Sequence, residues 1–240
     1  MRQRFLYITI FACVLNSLYA FTRTELPNII ILHQNEDAQT LGQIDQMLGH
    51  TKDIAESYFE KSINKRTLYI YKDQKEFQRQ KHPIVSTFLK LDWYIGDNIG
   101  EKSLIVSPNT KLKVHTYQSI INAIPHEYIH TVVYSINKKC PLWISEGLAL
   151  YLSNRYNASI GKIKIPPIGI LKSNNSLYFE KHNGYFYADK FIEYIELYNG
   201  RSKVIELVKT GDYEKVLGTT VNEIYSSCKL YTSKISINSA

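Results

Sequence analysis

Three residues in one short stretch carry the first sign of chemistry. The run Pro125-His126-Glu127-Tyr128-Ile129-His130 sets two histidines four positions apart, with a glutamate beside the first. On a helix, residues i and i+4 share one face, so both imidazoles can turn a nitrogen toward one cation. Glu127 then projects close to where a water on that cation would sit. This is H-E-x-x-H, which supplies two ligands and a base. Zinc takes nitrogen and oxygen donors in a roughly tetrahedral shell, and a catalytic site keeps one position open, so a third ligand must come from elsewhere. The pattern alone arises by chance in roughly 1% of chains this long, and a surface histidine pair beside a helical glutamate is its bland reading. A further donor has to decide. Sixteen residues after His130, within "WISEGLA", lies Glu146. It is an acid in an otherwise apolar segment, which makes a plain solvated charge a poor account of it.

Two other zinc arrangements are excluded by identity. A third histidine six residues after His130 would fall at Ile136, and the glycine that accompanies it at Val133. An aspartate in a G-T-x-x-D motif would fall at Asn222. Glu146 is therefore the best third ligand. His182 is the alternative, with a loop histidine as its plain reading.

These residues need two helices to position them. The region from about Tyr117 to Asn137 is expected to be helical, ended by Lys138, Lys139 and Pro141, since cations suit a last turn and proline cannot continue it. "PLWISEGLALYLSN" is expected to be a second helix, and a short connection makes consecutive helices antiparallel neighbours. Glu146, near the start of the second, can then face the histidines on the first, with Trp143, Leu148 and Leu152 on the core side. Pro125 sits directly before His126. Inside a helix it would remove a backbone hydrogen bond and clash with the carbonyl of Ile121, but in a first turn it costs little. Asn122 is a good N-cap residue, so the zinc helix is expected to begin or kink at about 122.

Upstream, residues 28–33 and 66–71 read as strands. A stripe of Leu41, Ile44, Leu48, Ala55, Tyr58 and Phe59 reads as a helix face. "KDQKEFQRQ" reads as a short helix, His82-Pro83 as part of a loop, "DWYIGDNIG" as turn-like, and "SLIVSP" as a strand ended by Pro108. Downstream, residues 155–184 read mostly as loop. A helix over 185–199 is closed by Gly200, two shorter helices cover 201–209 and 220–231, and residues 232–240 fray. Early strands around a helix, followed by a helical second half, give an α+β single domain.

"PHEYIH", then "PLWISEGLALYL", then "GYFYADKFIEYI" resembles the peptidase MA-like branch of the gluzincin metallopeptidases, which pair H-E-x-x-H with a W-x-x-E-G-x-A helix. "TLYIYKDQKEF", "DWYIGDNIG" and "SLIVSP" are similar to that family's strand, glycine turn and edge strand. The resemblance covers about residues 66–231 and is strongest at the two helices. It implies a zincin-like fold, with a small mixed sheet whose edge strand lies beside the H-E-x-x-H helix. It also implies one catalytic zinc and hydrolysis of peptide bonds. By that match His126, His130 and Glu146 are ligands and Glu127 the general base. Tyr185 falls where related enzymes place a tyrosine that hydrogen-bonds the oxyanion, with Tyr187 two residues away as its rival and simple packing as the plain reading of either. By the same analogy the strand 103–107 pairs with an extended substrate. The chain departs from the family at Leu150, where many members carry an acid that orients a histidine. Zinc-bound histidines normally have such a partner.

The chain has 240 residues, 44% hydrophobic and 21% charged, which excludes a disordered or fibrous chain and fits one core. Residues 1–20 combine Arg2 and Arg4 with an apolar run over Phe5–Leu18 and a small residue at Ala20. That is the plan of a secretory signal, so the mature domain is expected to span 21–240 and to be exported to the extracellular space, periplasm or cell surface. An uncleaved anchor, or a lipoprotein signal at Cys13, is the weaker alternative. Loss of the two arginines and no acids takes the net charge from +7 to +5. No Lys/Arg cluster with interleaved aromatics points to nucleic acid, and no further run is long enough to span a membrane. Cys140 and Cys228 remain, either as a disulfide or as two buried thiols. The expected partner is a peptide or protein substrate. A zincin-like module that binds without turnover, and a zinc hydrolase of a non-peptide cell-wall amide, are the rival functions.

Overall fold

The computed structural model of the protein describes residues 21–34, 36–81, 91–153 and 165–238. The expected leader over 1–20, the loop at His82-Pro83 and the first part of the expected loop over 155–184 lie outside the described residues. The first half alternates strands and helices: β1 (Thr22–Glu25), β2 (Ile29–His33), α1 (Ala38–Phe59), β3 (Arg66–Tyr71), α2 (Gln74–Lys81), β4 (Gly96–Ile99) and β5 (Lys102–Val106). The second half is helical: α3 (Tyr117–Ile121), α4 (Ile124–Ile136), α5 (Leu142–Leu152), a 3-10 turn (Ile168–Lys172), α6 (Ser176–Lys181), α7 (Gly184–Asn199), α8 (Arg201–Thr210), α9 (Tyr213–Leu217) and α10 (Val221–Asn238). The fold class is α+β.

The strands form one mixed sheet in the order β1-β2-β3-β5-β4. β2, β3 and β5 run parallel, and β1 and β4 add antiparallel at the two sides. This corrects two expectations. The strand over 103–107 is not an edge: β5 is paired on both sides, by β3 and β4. The glycine-containing segment read as a turn supplies the edge instead, as β4. Gly96 and Gly100 mark its two ends, and positive φ at Gly100 makes the tight return to β5. Turn residues at both ends of a four-residue strand hide its extended middle.

Helix α1 starts at Asp37, whose carboxylate accepts from Thr40 N at 2.7 Å, a standard N-cap bond. It buries Leu41, Ile44, Leu48, Ala55, Tyr58 and Phe59 and packs on β2 and α4. Helix α4 packs on β4, β5 and α1 on one side and on α5 on the other. It is therefore held between the sheet and the helical half. Helices α5 and α7 share the most extensive helix–helix contact. Trp143, fully buried, meets Phe191 edge-on at 4.7 Å between ring centroids. One turn on, the two backbones approach so closely that a Cβ at Gly147 would lie 2.3 Å from the Ala188 carbonyl oxygen.

The helical boundary before His126 differs from expectation in its detail. Asn122 is not an N-cap: it ends α3, and its N–H donates to the Gln118 carbonyl at 2.9 Å. Thr116 caps α3 through a reciprocal bond with Ser119. The chain then breaks at Asn122-Ala123 and restarts at Ile124, so Pro125 is the second residue of α4, where its missing N–H has no helical partner to lose. At the other end of the chain, α10 continues through Asn238, so the fraying expected from 232 is not seen there. Part of the expected loop over 155–184 forms the 3-10 turn and α6.

Candidate metal centre

Helix α4 presents His126 and His130 one turn apart, and the connection over residues 137–141 turns the chain back so that α5 presents Glu146 to both. The His126 and His130 Nε2 atoms lie 3.0 Å apart. Glu146 Oε2 lies 3.2 Å from the first and 3.3 Å from the second. The three are the one group of His, Cys, Asp and Glu among the described residues whose donor atoms converge in this way. All are shielded: His126 is 5% exposed, and the side chains of His130 and Glu146 only 13% and 12%.

The triangle fits one small cation. Tetrahedral bonds of about 2.0–2.2 Å set ligand atoms roughly 3.3–3.6 Å apart, and the observed edges fall a few tenths of an ångström short of that. Without a cation, the three atoms share protons across 3.0–3.3 Å, one group donating to the next. One divalent cation satisfies all three lone pairs at once. Two imidazoles and a carboxylate are a donor set that zinc accepts. The electrostatics agree with close coupling. Burial works against charge on His130, but the Glu146 carboxylate overrides it and raises the pKa to about 9. Burial likewise opposes charge on Glu146, and the two histidines override it, holding the carboxyl well below its usual range.

A candidate for the orienting partner that Leu150 does not provide lies at another position. Ser145 Oγ lies 2.8 Å from His130 Nδ1. A histidine that turns the Nε2 lone pair to a metal carries its proton on Nδ1 and donates it outward, here to the serine. Ser145 precedes Glu146 in the chain, so one turn of α5 holds both the carboxylate that meets the two histidines and the hydroxyl that pairs with His130. No spacing rule marks such a serine, and sequence reasoning missed it. Leu150 is buried and forms part of the cleft wall.

Glu127 faces the same cleft, of about 1170 Å³, with His126, His130, Glu146 and Tyr185. The glutamate is 8% exposed. Its Oε2 accepts from Asn98 Nδ2 at 2.6 Å, and Ser103 Oγ donates to its backbone carbonyl at 3.1 Å. Gly96 lies so close that a Cβ there would come within 2.6 Å of Oε1. Asn98, Gly96 and Ser103 were not singled out from the sequence.

The two candidate tyrosines separate cleanly. Tyr187 is buried and donates its hydroxyl to the Tyr225 carbonyl at 3.1 Å. Tyr185 lines the cleft, half-buried. Burial and the negative charges of Glu146, Glu180 and Glu127 push its hydroxyl pKa up, so it keeps its proton and remains a donor. His182 is not brought to the group: its Nδ1 pairs with the Tyr178 carbonyl at 2.8 Å. Cys140 and Cys228 are both free thiols, with pKa values pushed up by burial to about 12. Cys140 lies in the cleft wall and Cys228 in the core.

Among the described residues no helix is long and apolar enough to cross a membrane. The chain matches no family model, and no curated protein matches it.

Proposed function

We propose that this chain is an exported zinc metallopeptidase of the gluzincin type, with a zincin-like fold and one catalytic zinc held by His126, His130 and Glu146. The observation that carries this reading is convergence. Three donor atoms mutually 3.0–3.3 Å apart share a cleft wall with a second carboxylate, that of Glu127. A site built only to hold metal has no need of that fourth group. Export rests on the basic and apolar character of residues 1–20.

When bound, zinc lowers the pKa of a coordinated water and polarises a carbonyl. The residues of the chain do the rest. Glu127 takes a proton from the attacking water and passes it to the leaving amine. Tyr185, protonated, donates to the oxygen that becomes negative as the carbonyl carbon turns tetrahedral, a contact worth most in the transition state. Ser145 holds the His130 ring so that Nε2 stays aimed at the cleft. The substrate is an extended peptide pairing with β4. In the β4–β5 ladder, Val106 N donates to the Ile95 carbonyl at 2.9 Å. The bonded pairs are then residues 95, 97 and 99 with 106, 104 and 102, and the N–H and C=O of Gly96 point to the outer side. Such groups pair with an incoming strand.

The test is Glu127→Gln in the zinc-loaded protein. The variant keeps zinc and loses hydrolysis of a diverse peptide library. Cleavage equal to wild type overturns the assignment of the base. A wild-type protein that binds zinc yet cleaves no peptide overturns the peptidase.

A further inference from the structure

The proposed base is gripped from the sheet side, and this bears on how the site works. Gly96 and Asn98 are two residues apart on β4, so they face the same side of the sheet, and that side is toward α4. One closes on Glu127 Oε1 through the absence of a side chain. The other donates to Oε2 at 2.6 Å. Ser103 is the residue directly opposite Asn98 in the β4–β5 ladder, and its hydroxyl holds the Glu127 main chain at 3.1 Å. A single cross-strand pair thus holds one glutamate by both its side chain and its backbone. Asn98 is itself tied down. Its N–H donates to Asp97 Oδ1 at 2.6 Å, and the Tyr94 hydroxyl donates to Asp97 Oδ2.

Resting on the peptidase reading, we infer that Asn98 is a positioning residue for Glu127. It transmits the register of the edge strand to the base through the series Tyr94, Asp97, Asn98, Glu127. A glutamate side chain has three rotatable bonds, and a catalytic group needs placement to within about 0.5 Å. A carboxylate has about four lone-pair sites. The amide of Asn98 occupies one, fixes the rotamer and leaves sites for the proton of the water. An asparagine suits the task because its amide donates without titrating. Asn98 acts only through Glu127, so it is not itself catalytic. A peptide added to the outer side of β4 settles the strand that carries Asn98, and the base is aligned by the same event.

The experiment uses the zinc-loaded mature chain and reads two quantities. The first is turnover by Asn98→Leu and Asn98→Asp on the best peptide found for wild type. Expected is a kcat lower by roughly 10- to 100-fold, with KM within about twofold and zinc stoichiometry unchanged. A kcat within twofold of wild type, or a loss carried by KM alone, overturns the proposal. The second is the side-chain amide resonance of Asn98 by NMR, assigned by its disappearance in Asn98→Leu. In Glu127→Ala it should shift upfield and exchange faster with water; an unchanged resonance overturns the proposal. If wild type cleaves no peptide, the peptidase reading fails, and the amide resonance alone decides Asn98.

Discussion

The cleft has a helical side and a sheet side, and they place their groups by different geometry. On the helical side, His126, His130 and Glu146 meet because α4 repeats every turn and a short connection folds α5 against it. On the sheet side, Gly96, Asn98 and Ser103 meet Glu127 because two strands pair in one register. On the proposed reading, the helical side would govern what can be held, and the sheet side what Glu127 can do with it. Substitutions on the two sides should therefore separate into losses of metal and losses of turnover.

The largest effect belongs to the helical side. Glu146→Gln or His126→Ala is expected to reduce zinc from one per chain to near none, measured by metal analysis after dialysis, and to abolish hydrolysis with it. Chelation of the wild-type protein should lower its stability by about 3 kcal/mol when compared with free zinc at a hundredfold excess over Kd, read by calorimetry. Next comes Gly96→Ala on the sheet side. The new methyl would sit 2.6 Å from Glu127 Oε1. Expected is a kcat about 100-fold lower with full zinc loading. Loss of zinc in this variant breaks the division between the two sides. Ser145→Ala should weaken zinc about tenfold or more, in competition with a chelating dye, while the fold is unchanged. Zinc affinity equal to wild type removes Ser145 from the helical side's account.

Smaller effects test whether the helical side is peculiar among buried charges. Asp189 is also buried, on α7, but without cationic partners strong enough to hold its charge. Burial raises its pKa to about 6, against relief from Lys190 and further opposition from Glu193. A carboxyl that binds its proton more tightly in the folded state loses stability as pH rises from its unfolded value, near 4, through 6. Asp189→Asn should remove that slope. Wild type, relative to the variant, is then expected to lose on the order of 1–3 kcal/mol between pH 4 and pH 7, followed by denaturant melts across pH. Equal slopes would mean that Asp189 is not the group responsible.

How much of this was legible follows the same division. Helical periodicity is local, so His126 and His130 could be placed on one face from spacing alone, with Glu127 beside them, and Glu146 from the length of one connection. The α+β class was legible from the order of apolar runs. Register is not local. Nothing near Gly96 states that this residue will pair with Ile105, so β4 read as a turn and β5 as an edge. Asn98 looked like one more polar residue between glycines. Ser145 was invisible for a different reason: a serine beside a glutamate has no period. Pro125 was read correctly as a first-turn proline. The cap was misplaced because Asn122 had a competing use at the end of α3, and caps depend on which side of a break the chain resumes.

The close seam between α5 and α7 has a mechanical consequence. Gly147 follows Glu146 directly, and Ala188, whose carbonyl it meets, lies three residues beyond Tyr185. Carboxylate and phenol are thus mounted on two beams clamped within about one turn of each. On the proposed reading, this clamp would hold the spacing between third donor and oxyanion donor nearly constant while a peptide enters and leaves.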